Sequence, residues 1–221
     1  MARASRTAAL ALLVTSVGCG SNRPEVPSEL LQSGSSCSAP GYPVDGFGSE
    51  SGDVVQNACF QGFRDPTFVS PELENLETIA FSDYFDPAGT KRVELLLINT
   101  AAVWCSACIS EHRRLPGHYV ELGPRGLVIL GTLFQDAARN PASFEDLQRW
   151  IRNFDTNFPM VADPEIQTST YSSPNQAPLN LLVDARSMRI LRKYVGDQAA
   201  VMWPFIESEL SRRESARKPP P

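Results

Sequence analysis

From residue 76 onward the sequence predicts an α/β domain, on three observations. Short, nearly all-apolar runs of strand length alternate with longer stretches of helical periodicity. Two cysteines spaced C-x-x-C stand where one such run passes into a helical stretch. Ahead of residue 76 the pattern changes to Gly, Pro and Asp at short intervals, so a turn-rich N-terminal extension precedes the α/β domain.

The elements follow in order. Residues 77–81 are a short strand candidate, and Asp86-Pro87-Ala88-Gly89 is a turn. Residues 93–99 (VELLLIN) are nearly all apolar, as in a central strand covered on both faces. A helical stretch covers residues 106–122, and Pro116-Gly117 should kink or split it. Residues 127–133 are a second buried strand. Residues 143–154 are a helix that Ser143 can cap, with Phe144, Leu147, Ile151 and Phe154 on one face. A short strand at residues 158–161 and one helical turn at 167–171 come next. Strands at residues 179–183 and 189–195 flank a turn at 184–188. A closing helix spans residues 199–210, with Pro204 near its first turn.

The N-terminus reads as a targeting segment. Arg3 and Arg6 precede a short apolar run at residues 8–17, then Gly18-Cys19. The run is too short for a comfortable membrane span and suits a secretory signal. Cys19 after a small residue resembles a bacterial lipobox, with Ser16 where Leu is usual. The resemblance implies cleavage before Cys19 and its lipidation; otherwise the signal is an ordinary one and Cys19 incidental. Several acyl chains would give durable membrane attachment. Residues 1–18 hold two Arg and no acid, so their removal leaves 18 basic and 25 acidic side chains, net −7. Residues 19–36, rich in Ser, Gly and Pro, form a flexible tether. Residues 37–75 are the extension, 76–213 the α/β domain and 214–221 a disordered tail.

The whole chain has 221 residues and a formal charge of −5, with no long basic run before the last dozen positions, so nucleic acid is not an expected partner. With Cys19 lipidated, Cys37, Cys59, Cys105 and Cys108 remain, an even number that suits two pairs in an oxidising compartment. A structural disulfide is expected between Cys37 and Cys59, bracketing the extension.

Trp104-Cys105-Ser106-Ala107-Cys108 carries the chemistry. A C-x-x-C either ligates zinc or forms a reversible disulfide. Structural zinc wants four ligands, and only His112 and His118 stand near in sequence. Placement between a buried strand and a helix start favours redox work, because free N–H groups and the helix dipole stabilise the attacking thiolate. No cofactor and no metal are called for.

On these residues, above all NTAAVWCSACISE at 99–111, the chain resembles thioredoxin-like proteins, and most of all the TlpA-type redoxins of bacterial envelopes. The resemblance covers residues 76–210 and implies a thioredoxin-like fold, a central mixed β-sheet flanked by helices. It implies Cys105 as the exposed attacking cysteine, Cys108 as the resolving one and Trp104 as the flanking aromatic. Ser106 and Ala107 tune the potential, and the frequent Pro is missing at 107. Pro178 fits the family's cis-proline, with Ala177 offering its backbone to a bound peptide; the extra sequence before it, including residues 158–163, fits an insertion seen in relatives. Where thioredoxin has a buried Asp, Asn99 stands. Glu111 then becomes the candidate for proton handling, although the position also suits a surface helix carboxylate. His112 is expected to face solvent, His118 has no role, and Asp163 and Asp184 are turn residues.

The expected function is exchange of disulfides with envelope proteins, with a membrane electron donor implied if the pair works as a reductant. A thiol peroxidase is less well supported, since Thr100-Ala101-Ala102-Val103-Trp104-Cys105 lacks the usual pattern. Copper(I) delivery by the same thiolates lacks an evident third ligand. A redoxin fold turned binding module is the remaining alternative.

Overall fold

A computed structural model describes residue 37, residues 39–67 and residues 69–217. The signal, the tether, Cys19 and residues 218–221 lie outside the described residues. Seven strands form one mixed sheet: β1 (Cys59–Phe63), β2 (Glu77–Ala80), β3 (Leu95–Ala102), β4 (Leu127–Gln135), β5 (Met160–Ala162), β6 (Leu179–Asp184) and β7 (Arg189–Val195). Their order is β2-β1-β5-β4-β3-β6-β7. β4 runs parallel to β3 and β5, and β6 runs antiparallel to β3 and β7. The helices are α1 (Ser106–His112), α2 (Leu115–Leu122), α3 (Phe144–Asn153) and α4 (Ala199–Arg217).

β3 is central because both its faces can be buried. All eight of its residues are buried. Successive side chains alternate between the faces. Leu95, Leu97 and Ala101 join the core beneath α1, α3 and α4, while Leu96 and Ile98 join the core on the other face. Asn99 therefore falls on the α1 side, the one strongly polar residue in that row. The antiparallel register sets Asn99 opposite Asn180 of β6, so the two amides lie side by side.

The helices form where the sequence predicts. Ser143 caps α3 and exchanges hydrogen bonds with Asp146 in a capping box. Leu147, Trp150 and Ile151 are buried, and Phe144 and Phe154 pack at the margin. The stretch at 106–122 splits into α1 and α2, with Pro116 in the first turn of α2, where its missing N–H costs least.

Three expectations change. The extension is not separate from the sheet, because β1 lies within it and pairs with both β2 and β5. Gly62 reads as a turn signal, yet in β1 it marks close approach: a Cβ there would collide with the Met160 carbonyl and Val161. The closing helix continues past residue 210 to Arg217, so residues 214–217 are helix rather than tail. Ion pairs hold that end: Arg213 to Asp184 at 2.6 Å, Arg217 to Glu94 at 3.0 Å and Arg125 to Glu214 at 2.8 Å. Last, β3 extends to Ala102, which brings it directly under the cysteine motif.

Cys37 and Cys59 are joined in a disulfide, as expected, with Cα atoms 5.8 Å apart. The bond staples the start of the described chain to the first residue of β1. No helix among the described residues is long and apolar enough to cross a membrane.

Candidate functional site

The cysteine motif sits at the junction of β3 and α1. Cys105 is the N-cap residue of α1, with extended backbone, and its Sγ accepts the Cys108 N–H at 3.1 Å. This places a helix-start donor on the Cys105 sulfur. Cys105 and Cys108 are joined, with Cα atoms 5.2 Å apart, so the pair is in its oxidised state. The sequence expects an exposed Cys105, but it is only 4% exposed, against 1% for Cys108. Its N-cap position folds the sulfur back over the first turn of α1, which accounts for the burial.

Trp104 is fixed on three sides. Its Nε1–H donates to Gln135 Oε1 at 2.9 Å, its ring stands edge-on to Phe134, and the Arg139 guanidinium lies 3.8 Å above it. A bulge shifts the β3–β4 register between Ala101 and Ala102, setting Gln135 opposite Ala102 and within reach of the indole.

Glu111 is not a surface carboxylate; it is 2% exposed. Asn180 Nδ2 donates to its Oε1 and Asn99 Nδ2 to its Oε2, both at 2.7 Å. Asn99 Nδ2 also donates to Asn180 Oδ1 at 2.8 Å, closing a ring of three side chains from β3, α1 and β6. Burial pushes the carboxyl up to about 7. The two amides pull the other way by favouring the anion; farther off, Asp197 raises the value and Arg114 lowers it. In this oxidised state both carboxylate oxygens are bonded to amides.

The Ala177–Pro178 peptide bond is cis, as expected. Thr100 Oγ1 accepts the Leu179 N–H at 3.1 Å and pins the start of β6 to β3, five residues before Cys105. The Pro178 carbonyl is taken by the Gly196 N–H at 2.8 Å. Ala177 lines a small, solvent-open cleft, with Phe134 and Leu179 on its walls and Ser and Thr side chains around it.

His112 corrects an expectation. It is 1% exposed rather than solvent-facing. Trp150, Phe154 and Phe158 surround its ring at centroid distances of 5.2, 5.2 and 5.3 Å, and Nε2 meets Thr156 Oγ1 at 3.1 Å. α1 turns this side chain toward α3, so burial holds it neutral, pushed down to about 3. His118 stacks on Trp203 at 3.7 Å. Asp163 and Asp184 act in turns: Asp163 accepts the N–H groups of Gln167 and Thr168, and Asp184 the Ser187 hydroxyl. Among the described residues no three His, Cys, Asp or Glu side chains gather as a metal site.

Sequence reasoning missed Asn180, Gln135 and Arg139. Asn180 had a signal, being an amide inside an otherwise apolar strand, LNLLV. Gln135 and Arg139 had none, since a bulge and a loop bring them to Trp104.

No family model matches the chain, and no curated protein matches its sequence. Solved structures do match. A protein named thiol:disulfide interchange protein DsbE, from Chlorobium tepidum, is 16% identical with a TM-score of 0.56, covering 73% of this chain and 98% of its own. AhpC of Enterococcus faecalis is 14% identical with a TM-score of 0.54, covering 79% of this chain and all of its own. At such identities the likeness concerns architecture. The mixed sheet, its flanking helices, the cysteine pair at the β3–α1 junction and these neighbours agree on one result: the chain has the thioredoxin-like fold.

Proposed function

We propose that the protein is a thiol–disulfide oxidoreductase that exchanges disulfides with other proteins through Cys105 and Cys108. The observation that carries this reading is the Cys105–Cys108 disulfide at a helix N-terminus, one helical turn from a buried carboxyl that titrates near neutrality. The DsbE neighbour is itself named for thiol:disulfide interchange.

In the reductive direction, the Cys105 thiol gives up its proton and the thiolate attacks one sulfur of a substrate disulfide. A bond forms between Cys105 and that sulfur, and the substrate's other sulfur leaves as a thiolate that takes a proton. Cys108 then loses its proton and attacks the Cys105 sulfur. The mixed disulfide breaks, the second substrate sulfur leaves and takes the proton that Cys108 gave up, so two electrons and two protons have passed to the substrate. The reverse sequence oxidises a dithiol, and relative potential sets the direction. Glu111 takes the role of proton acceptor for Cys108, since its pKa near 7 lets both of its forms be populated. The substrate's backbone docks at Ala177, whose neighbour Pro178 holds the strand start.

The domain acts outside the cytoplasm, held to a membrane by lipid on Cys19 through the tether. Two disulfides in one chain favour an oxidising compartment. Trapping tests the exchange. A Cys108→Ser protein, reduced and exposed to envelope extract, should accumulate mixed disulfides through Cys105. Adducts in equal yield from a Cys105→Ser, Cys108→Ser double variant would contradict it.

A further inference from the structure

We propose that Arg139 is a specificity-determining residue, selecting disulfide substrates that carry carboxylates beside their cysteines. The inference rests on the exchange reading above. A turn follows β4, shaped by Asp136. Asp136 Oδ1 accepts the N–H groups of Ala138 and Asn140, both at 2.8 Å. Asp136 Oδ2 accepts from Asn140 Nδ2 at 3.1 Å, and the Asp136 N–H donates to the Asn140 carbonyl at 2.9 Å. The acid of this loop is thereby consumed in shaping it. Arg139 stands at the tip with φ +68°, a left-handed conformation that residues bearing a Cβ seldom adopt. The turn holds it there and delivers the guanidinium over Trp104.

Trp104 cannot swing away, because Gln135 and Phe134 fix its other sides. The cation and the residue preceding Cys105 thus form one preset unit. Most arginines of the described chain are in ion pairs with Asp or Glu, whereas Arg139 is exposed and makes none among the described residues. Phe134 also walls the cleft beside Ala177, where Thr168, Ser169, Ser173 and Gln176 offer hydroxyls and an amide. No charged side chain lines that cleft. On a chain of net charge −5, an exposed cation over the residue that precedes Cys105 gives an approaching carboxylate its attractive contact.

The test uses three synthetic peptides, identical except that the residues flanking one intramolecular disulfide are Glu, Gln or Lys. Reduction rates are measured with the full chain at low salt and again in about 1 M salt, where the Debye length falls to about 3 Å. Wild type should reduce the Glu peptide roughly two- to fivefold faster than the Lys peptide, as expected for one exposed charge contact. The preference should vanish at high salt, disappear in Arg139→Gln, reverse in Arg139→Glu and survive in Arg139→Lys. Equal rates on all peptides in wild type would overturn the inference. So would an equal loss on every peptide in Arg139→Gln, which would make Arg139 a packing group for Trp104. No reduction of any peptide by any form would overturn the exchange reading itself, and this inference with it.

Discussion

A carboxyl group buried among amides has a pKa set by two opposing costs. Removing Glu111 from water disfavours its anion, and the Nδ2 groups of Asn99 and Asn180 restore part of that loss. The balance leaves it near 7, above the ordinary 4.5. A pKa raised on folding means that stability present below pH 4.5 is lost as pH rises through about 7. Glu111→Gln should therefore flatten the fall in stability between those pH values, read by chemical denaturation at several pH. It should also abolish a break near pH 7 in the rate of disulfide exchange and slow that rate at neutral pH by about tenfold or more. An unchanged pH–rate profile would remove Glu111 from proton handling. The sequence placed Glu111 three residues past Cys108 but could not say whether it was buried. Burial follows from Asn180, whose partnership with Asn99 depends on a pairing register between residues 81 positions apart.

At the scale of elements, α1 presents the proposed redox groups on one side and anchors itself on the other. Cys108 and Glu111 face the sheet, while His112 enters an aromatic cage made by α3 and the segment before β5. Its folded-state pKa is depressed to about 3 from 6.5. The unfolded chain therefore binds a proton that the folded one refuses, and stability falls as pH drops from about 6.5 toward 3. His112→Phe should make the acid limb of the stability curve shallower while leaving stability at pH 8 within about 1.5 kcal/mol of wild type. A limb of unchanged slope would mean other groups dominate acid unfolding. The strands and helices were legible because periodicity reports burial, and Ser143 and Pro116 marked their ends through local chemistry. β1 was not legible: five residues interrupted by Gly62 carry little period, and only contact with β5 makes them a strand.

Across the whole molecule, the two disulfides do different work at different places in the sheet. Cys37–Cys59 ties the N-terminal segment to β1, the strand next to the β2 edge, where loop closure stabilises the fold. Cys105–Cys108 spans a sequence separation of only three at the end of β3, so it contributes little to loop closure; exchange is the role we propose for it. The C-terminal helix is clasped at the opposite end of β3, where Arg213 and Arg217 reach Glu94 just before that strand. The proposed exchange site and the helix anchorage thus occupy the two ends of β3. The direct measurement is electron stoichiometry. Fully folded protein, reduced selectively at the C-x-x-C pair, is mixed with a disulfide peptide, and thiols on both are mapped by alkylation and mass spectrometry. Transfer of two electrons should oxidise Cys105 and Cys108, leave Cys37–Cys59 intact and cease in Cys105→Ser. Persistence of the transfer in Cys105→Ser, or a pair that stays reduced beside an excess of disulfide, would contradict a redox function for this site.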